Sequence, residues 1–539
     1  MKNAADLIIN ATKIHTLAGT SVQSLAISEG KLLALGTTND TAEFADSDTE
    51  IISINGVVTP GLIDAHTHVV MGTIWTRGIN LTDLSREEVC TALSEQAART
   101  EKGAWLMGWG LDPNIFTEQF DGRVFDEYTA DFNAFLRMRD GHSAVVNSTA
   151  IATAGLTGAE MFEDESAVGV DSDGAPTGYL LEFAAMATVL AHCPEESIPE
   201  IGTRLLERLE DMAACGLTAT HVLDLESPAL EVVQWIEENH ELPIELRFSP
   251  MIHPGTKAPQ WEQLAALQGT HGRRWRIEGV KFMIDGTIDN GSAWLQRPDH
   301  FGEGTKSIWT NTDDYRQALK FFANRGVSTA THAIGDRGVE FVLDCLEELG
   351  ENRGLAAHRI EHIETIPDET VARFAQLGVA ASMQPIHGTH HTKADQSDNW
   401  SQRLGAERAE HGWRCRDLRE SGATLALGSD WPITPYDPRE MMSDSILRRP
   451  ARKAEVAPVQ PDQGLNVLQA LEGYTSHAAR ASNLQHSVGT LATDLYANLT
   501  VFAQDPLEQT GQSIADIEVL TTFIKGKDTK KLKQSAAIN

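Results

Sequence analysis

Across the middle of the chain, short apolar runs alternate with longer segments of helical period. The runs are residues 61–68, 217–224, 244–251, 279–286, 327–336, 357–363, 378–385 and 424–431. Each has strand length, ends in polar or small residues and precedes a helical pattern. That order predicts parallel strands joined by crossover helices. Eight such units are the number that closes a (β/α)8 TIM-type barrel, and a doubly wound α/β sheet shares the same local pattern.

The gap between the first two runs is too long for a loop. Residues 69–216 hold helical patterns such as 86–99 and a strand pattern, 134–139, running into Asp140-Gly141-His142. They predict a subdomain inserted between barrel strands 1 and 2, over the mouth of the barrel. Residues 466–481 read as one closing helix. The two ends differ again. Residues 22–36 predict two strands about a tight Glu29-Gly30 turn, and 497–502 and 519–524 are short, β-branched and apolar. Short strands at both ends predict a small composite sheet domain, 1–58 with 487–529, beside a barrel domain of 59–486.

Composition narrows the function. The 539 residues carry 44 basic and 77 acidic side chains, a formal charge of −33. Such a surface repels nucleic acid and anionic membranes. The acids are spread along the chain, which favours a solvated acidic surface over steering of a cationic substrate. No apolar run approaches the ~18–20 residues of a membrane span. The first residues lack the apolar stretch of a secretory signal, so a cytoplasmic location is expected. Cys90, Cys193, Cys215, Cys345 and Cys415 form no C-x-x-C pair and read as free thiols.

The candidate chemistry sits where the apolar runs end. His66 and His68 close the first run. Residues two apart in a strand share a face, so both imidazoles can reach one ion. His332, His362 and Asp430 fall at the ends of later runs, and Lys281 interrupts a run that should be apolar on both faces. A buried lysine is costly unless it is paired, modified or bound to metal. Each residue alone has an ordinary structural explanation: a hydrogen-bonded core histidine, a helix-capping aspartate. Six of them on five strands of one barrel point to a metal centre at the end of the barrel where active sites lie.

The strings V-T-P-G-L-I-D-A-H-T-H (58–68), L-R-M-R-D-G-H-S-A-V-V-N-S (136–148), P-T-G-Y-L-L-E (176–182), V-K-F-M-I-D-G (280–286), T-H-A-I-G-D-R (331–337), H-R-I-E-H (358–362), S-M-Q-P (382–385) and L-G-S-D-W-P (427–432) together resemble the amidohydrolase superfamily. Within it they resemble amidohydrolase family 3, which includes N-substituted formamide deformylases. The resemblance implies a β-sandwich from both termini beside a metal-containing barrel. It implies His66, His68, His332 and His362 as ligands, Lys281 as a ligand that is carbamylated in many members, and Asp430 as ligand and general base/acid. The cofactor implied is one or two divalent ions, Zn²⁺ first.

The expected reaction is hydrolysis of a carbon–nitrogen bond, of the amide or formamide type, in a small molecule. Ester, carbamate or lactone hydrolysis on the same site is the rival among enzymes. A catalytically silent binding or regulatory protein is the rival outside them, and the intact ligand set argues against it. His142, Glu182, Asp285 and Asn290 are candidate substrate contacts, although Asp285 and Asn290 can equally shape a turn. His387, His390 and His391 read as a polar lid loop in preference to a third metal site. Trp75, Trp109, Trp294 and Trp431 suit either an aromatic pocket or core packing. A homodimer is the default expectation for the assembly.

Overall fold

The computed structural model describes residues 4–530 other than 20, 117, 118, 140 and 163–165; Asp140 of the expected turn therefore lies outside the described residues. The chain divides into two compact units, Met1–His68 with Leu206–Asn539, and Val69–Leu205.

In the larger unit the termini build one sheet of seven strands. Val22–Ser28 and Lys31–Gly36 are antiparallel with Ser28 opposite Lys31. The turn between them places Glu29 at φ 50° and Gly30 at φ 77°, the left-handed pair that a two-residue hairpin requires. A Cβ on Gly30 would lie 2.9 Å from Lys525 Cβ. Gly30→Ala is therefore expected to destabilise the protein by about 1–2 kcal/mol, read as a lower urea midpoint. Where a two-sheet sandwich is expected, the strands form a single hydrogen-bonded sheet. The reason is Glu50–Pro60, which pairs along one edge with Leu7–Ile14 and along the other with Leu499–Phe502. Apolar side chains from both ends of the chain, among them Ile9, Leu25, Val58, Leu499 and Phe523, share one core.

The eight apolar runs all contain strands, and these pair in parallel. Trp275–Ile277, Glu245–Phe248, Leu217–Val222 and Leu62–Thr67 form one sheet. Met251–Ile252, Val280–Met283, Thr329–Ala333, His358–His362, Ala380–Met383 and Leu425–Leu427 form another. Where one ring is expected, the third run is broken at Ser249-Pro250, since proline has no N–H for the ladder. The fourth run begins at Gly279, and a further short strand outside it, Trp275–Ile277, precedes it and takes the pairing with Glu245–Phe248. Bonds still cross the break, from Lys281 N to Pro250 O at 2.9 Å and from Glu278 N to Phe248 O at 2.8 Å. On the far side Asp430 N donates to His66 O at 2.7 Å and His68 N to Trp431 O at 2.9 Å. Parallel strands with intervening helices fit a TIM-barrel-type fold. The expected closing helix is two, Val467–Gly473 and Ser476–Ala481. The backbone leaves the helical region at Thr475, at φ −129° and ψ −95°.

The unit Val69–Leu205 is built on a six-stranded sheet in the order Ala167–Val170, Pro176–Leu181, Ser143–Val146, Ala134–Met138, Leu106–Leu111, Ile79–Asn80. Helix Arg86–Ala97 starts at a Ser85 capping box, a signal legible in the sequence as S-x-x-E. All five cysteines are free thiols. Among the described residues no helix is long and apolar enough to cross a membrane.

Candidate metal centre

His66 lies in the strand Leu62–Thr67 and His68 just beyond it. Strand alternation turns Thr67 to the other side, where its hydroxyl meets that of Thr220 at 2.6 Å. His362 ends its strand at φ 72°, and Asp430 lies at φ 56°. Left-handed backbone is uncommon for residues with side chains and concentrates at functional sites. At His362 it has a direct effect. Consecutive strand residues normally face opposite ways, yet Glu361 and His362 both meet His66.

Ligand atoms of His66, His362 and Asp430 lie within 4.8 Å of one another, and all three residues are buried. Asp430 Oδ1 is 3.2 Å from His66 Nε2 and 3.3 Å from His68 Nε2. The other nitrogen of each ring is engaged by a carboxylate: His66 Nδ1 with Glu361 at 2.8 Å, His68 Nδ1 with Asp224 at 2.5 Å. A ring that donates from Nδ1 carries its lone pair on Nε2. Two imidazole lone pairs therefore converge on a carboxylate oxygen, which is repulsive unless a cation sits among them. His332 neighbours His362, with ring centroids 4.4 Å apart. Its Nε2–H donates to Gly286 O at 3.2 Å, which leaves Nδ1 as the basic nitrogen.

The electrostatics agree. Burial lowers His362 well below the usual histidine range, with His332 adding to the effect. Burial brings His332 down to about 3, helped by the Lys281 ammonium. These rings are neutral and present lone pairs. Burial penalises charge on His68 as well, but its bonds to Asp224 and Asp430 prevail and raise it to about 9; this environment favours a cation, whether a proton or a divalent ion. For Asp430, burial opposes ionisation and the surrounding imidazoles, His66 foremost, outweigh it, so the carboxyl falls well below its ordinary range. Lys281 is 2% exposed. Burial brings it down to about 8 against the pull of Glu361 and Asp430, and a neutral amine is the form that reacts with CO₂. His362 Nδ1 and His387 Nε2 are buried without a hydrogen-bond partner among the described residues. Orphaned nitrogens, carboxylate-backed imidazoles and a buried carboxylate are the donor set a divalent ion takes.

The other candidates are placed as follows. His142 and Glu182 pair at 3.1 Å within the Val69–Leu205 unit, beside the Phe183 ring. Asp285 is fully buried, and its oxygens accept the backbone amides of Ile334, Gly335 and Trp294, the work of a turn-shaping residue. Asn290 is exposed in a turn, its amide bonded to Thr287. The lid-loop reading of His387, His390 and His391 is corrected. They lie on a short helix, Pro385–His391, started by proline in its first turn. His387 Nε2 is 3.7 Å from Asp430 Oδ2, and His390 pairs with buried Asp444 at 3.1 Å. Trp294 packs on Phe341, and Trp431 on Tyr436.

Three residues of the centre carry no role in the sequence reading: Asp224, Glu361 and Asp64. Asp64 accepts the amides of His66 and Ser429, each at 3.0 Å, and so ties the two ligand-bearing segments together. Asp224 ends its run and Glu361 lies two residues from the end of its own, while Asp64 sits inside the first run two residues before His66. A carboxylate within two residues of a candidate histidine ligand was the available signal for Asp64 and Glu361.

Comparison with known proteins accords with this geometry. Residues 54–529 match the Amidohydrolase family. Protein LONG AFTER FAR-RED 3 of Arabidopsis thaliana is 27% identical, over 97% of this chain and 91% of that one. An N-substituted formamide deformylase of Arthrobacter pascens is 23% identical over 98% of both. Among solved structures, a metal-dependent hydrolase from Pyrococcus furiosus superposes with a TM-score of 0.72 at 24% identity, over 93% of this chain and all of the other.

Proposed function

Since the chain belongs to the amidohydrolase family, matched over residues 54–529, we propose that it hydrolyses a carbon–nitrogen bond, of the amide or formamide type, in a small molecule. In this reading the two parallel sheets close into one (β/α)8 barrel, with the composite sheet domain beside it. His66, His68, His332, His362 and Asp430 would hold one or two divalent ions, Zn²⁺ first by ligand chemistry, and Lys281, as a carbamate, would add an oxygen ligand. The enzyme works in the cytoplasm, and a homodimer is its default assembly. What carries the reading is the meeting of His66, His362 and Asp430 within 4.8 Å, from strands almost 300 and 70 residues apart. The formamide deformylase likeness supports the choice of bond.

A divalent ion held there supplies Lewis acidity and brings the pKa of water towards about 7. The residues do the rest. Asp430, ionised and aimed at the two Nε2 atoms, takes the proton of the attacking water and passes it to the departing nitrogen. Asp224 and Glu361 hold His68 and His66 in one tautomer. His142 and Glu182 are assigned to substrate.

Elemental analysis tests the centre. Purified protein is expected to carry one or two equivalents of zinc per chain, lost in His66→Ala. Metal-free protein that still hydrolyses a panel of N-formyl and N-acyl compounds would overturn the reading.

A further inference from the structure

Behind His66 and Glu361 runs a line of polar groups, buried Arg359 and His221 and half-buried Ser482, that the proposed reaction does not use. On the strand His358–His362, Arg359 and Glu361 are two residues apart and share a face. Glu361 Oε2 is hydrogen-bonded to His66 Nδ1 at 2.8 Å, and its Oε1 forms an ion pair with Arg359 Nε at 2.8 Å, off hydrogen-bond geometry. Arg359 Nη1 continues to His221 Nδ1 at 3.0 Å and to Ser482 Oγ at 3.4 Å, and Ser482 Oγ also meets His221 Nδ1 at 2.7 Å. Glu361, His66, His221 and Arg359 are at most 4% exposed. The line ends at a small cavity that Arg359, His221 and Ser482 line together with Arg247 and Glu278.

An ion pair this deep is a poor source of stability, because desolvation offsets most of its attraction. Its geometry has a different use. Glu361 is hydrogen-bonded to His66 at Oε2 and lies against the Arg359 charge at Oε1, which together orient its carboxylate. The oxygen that meets His66 then fixes that ring, with Nε2 turned to Asp430. The guanidinium is suited to the place, since its planar fork sets one nitrogen against the Glu361 charge while another bonds the His221–Ser482 pair, which a lysine cannot do.

We propose that Arg359 is a positioning residue that acts on the metal centre through Glu361 and His66. The proposal rests on the reading of that centre as metal-binding, and the controls keep the two apart. Apo protein is titrated with Co²⁺, following the visible absorption of the bound ion. Wild type must bind and His66→Ala must lose binding; failure there sinks the metal reading itself. Given that, Arg359→Met is expected to weaken Co²⁺ binding by about 10–100-fold and to change the absorption band, and Arg359→Lys to recover part of both. In a Glu361→Gln background, Arg359→Met should change the affinity by less than about twofold, because the route is already cut. Folded Arg359→Met with wild-type affinity and spectrum would overturn the proposal, as would a further tenfold loss on adding it to Glu361→Gln. Should Arg359→Met alone fail to fold, Glu361→Gln against Arg359→Met/Glu361→Gln, which lacks both buried charges, decides the matter by the same criterion.

Discussion

Asp430→Asn is expected to lower kcat by about a thousandfold, within the 10²–10⁴ range of general acid–base catalysis. Asparagine matches the shape of aspartate and keeps one oxygen to face His66 and His68, now 3.2 and 3.3 Å away. It cannot accept a proton from water or return one to nitrogen. The outcome separates two roles. If Asp430 only binds metal, activity should follow metal content, and excess Zn²⁺ should restore it. If it carries the proton, the fully loaded variant stays slow. The defect should then shrink for substrates whose leaving nitrogen departs without protonation, such as strongly electron-poor anilides. Zinc content and kcat measured on the same preparation decide between them. A loaded Asp430→Asn enzyme at wild-type rate would remove Asp430 from the proton path.

Asp285→Ala is expected to cost about 3 kcal/mol or more in unfolding free energy. Its carboxylate accepts Ile334 N at 3.0 Å, Gly335 N at 2.8 Å and Trp294 N at 2.8 Å. Alanine strands these amides, and each buried unsatisfied donor costs about 1–3 kcal/mol. Asparagine should help little. Oδ1 serves Ile334 while Oδ2 serves the other two, so either amide orientation points N–H₂ at a backbone donor. Urea unfolding of the three proteins is the measurement. An Asp285→Asn variant as stable as wild type would show that the turn after His332 does not depend on this carboxylate.

The sequence makes some of this plain for reasons that can be stated. The eight runs are visible because strands buried on both faces must be apolar throughout. The ligand histidines stand out because a polar group in such a run has to be explained. The Glu29-Gly30 turn is legible because two left-handed residues favour glycine. What stays hidden has no local signature. Pro250 looks like any strand terminus until its missing N–H is seen to divide a ladder. Of the insert's six-stranded sheet, Ala134–Met138 alone is legible; the other strands are two to six residues long, and Leu106–Leu111, Ala167–Val170 and Pro176–Leu181 contain glycine, which weakens a strand pattern. Glu361 and Arg359 read as ordinary charges, because their partners His66 and His221 are 295 and 138 residues away. His387 looks like part of a polar loop, because a histidine cluster carries no helical signal; the turn that aims it at Asp430 begins at Pro385.

The pairing of Leu499–Phe502 with residues 57–60 also sets an order of events at the ribosome. Roughly 440 residues separate Pro60 from Leu499, so at 5–20 residues per second the earlier strand waits about 20–90 s for its neighbour to be synthesised. Through that interval one edge of Glu50–Pro60 has no mate, and its end, Gly-Val-Val-Thr-Pro, is an open invitation to the same segment of another nascent chain. Pro60 closes off part of that edge, and the rest is territory for a chaperone.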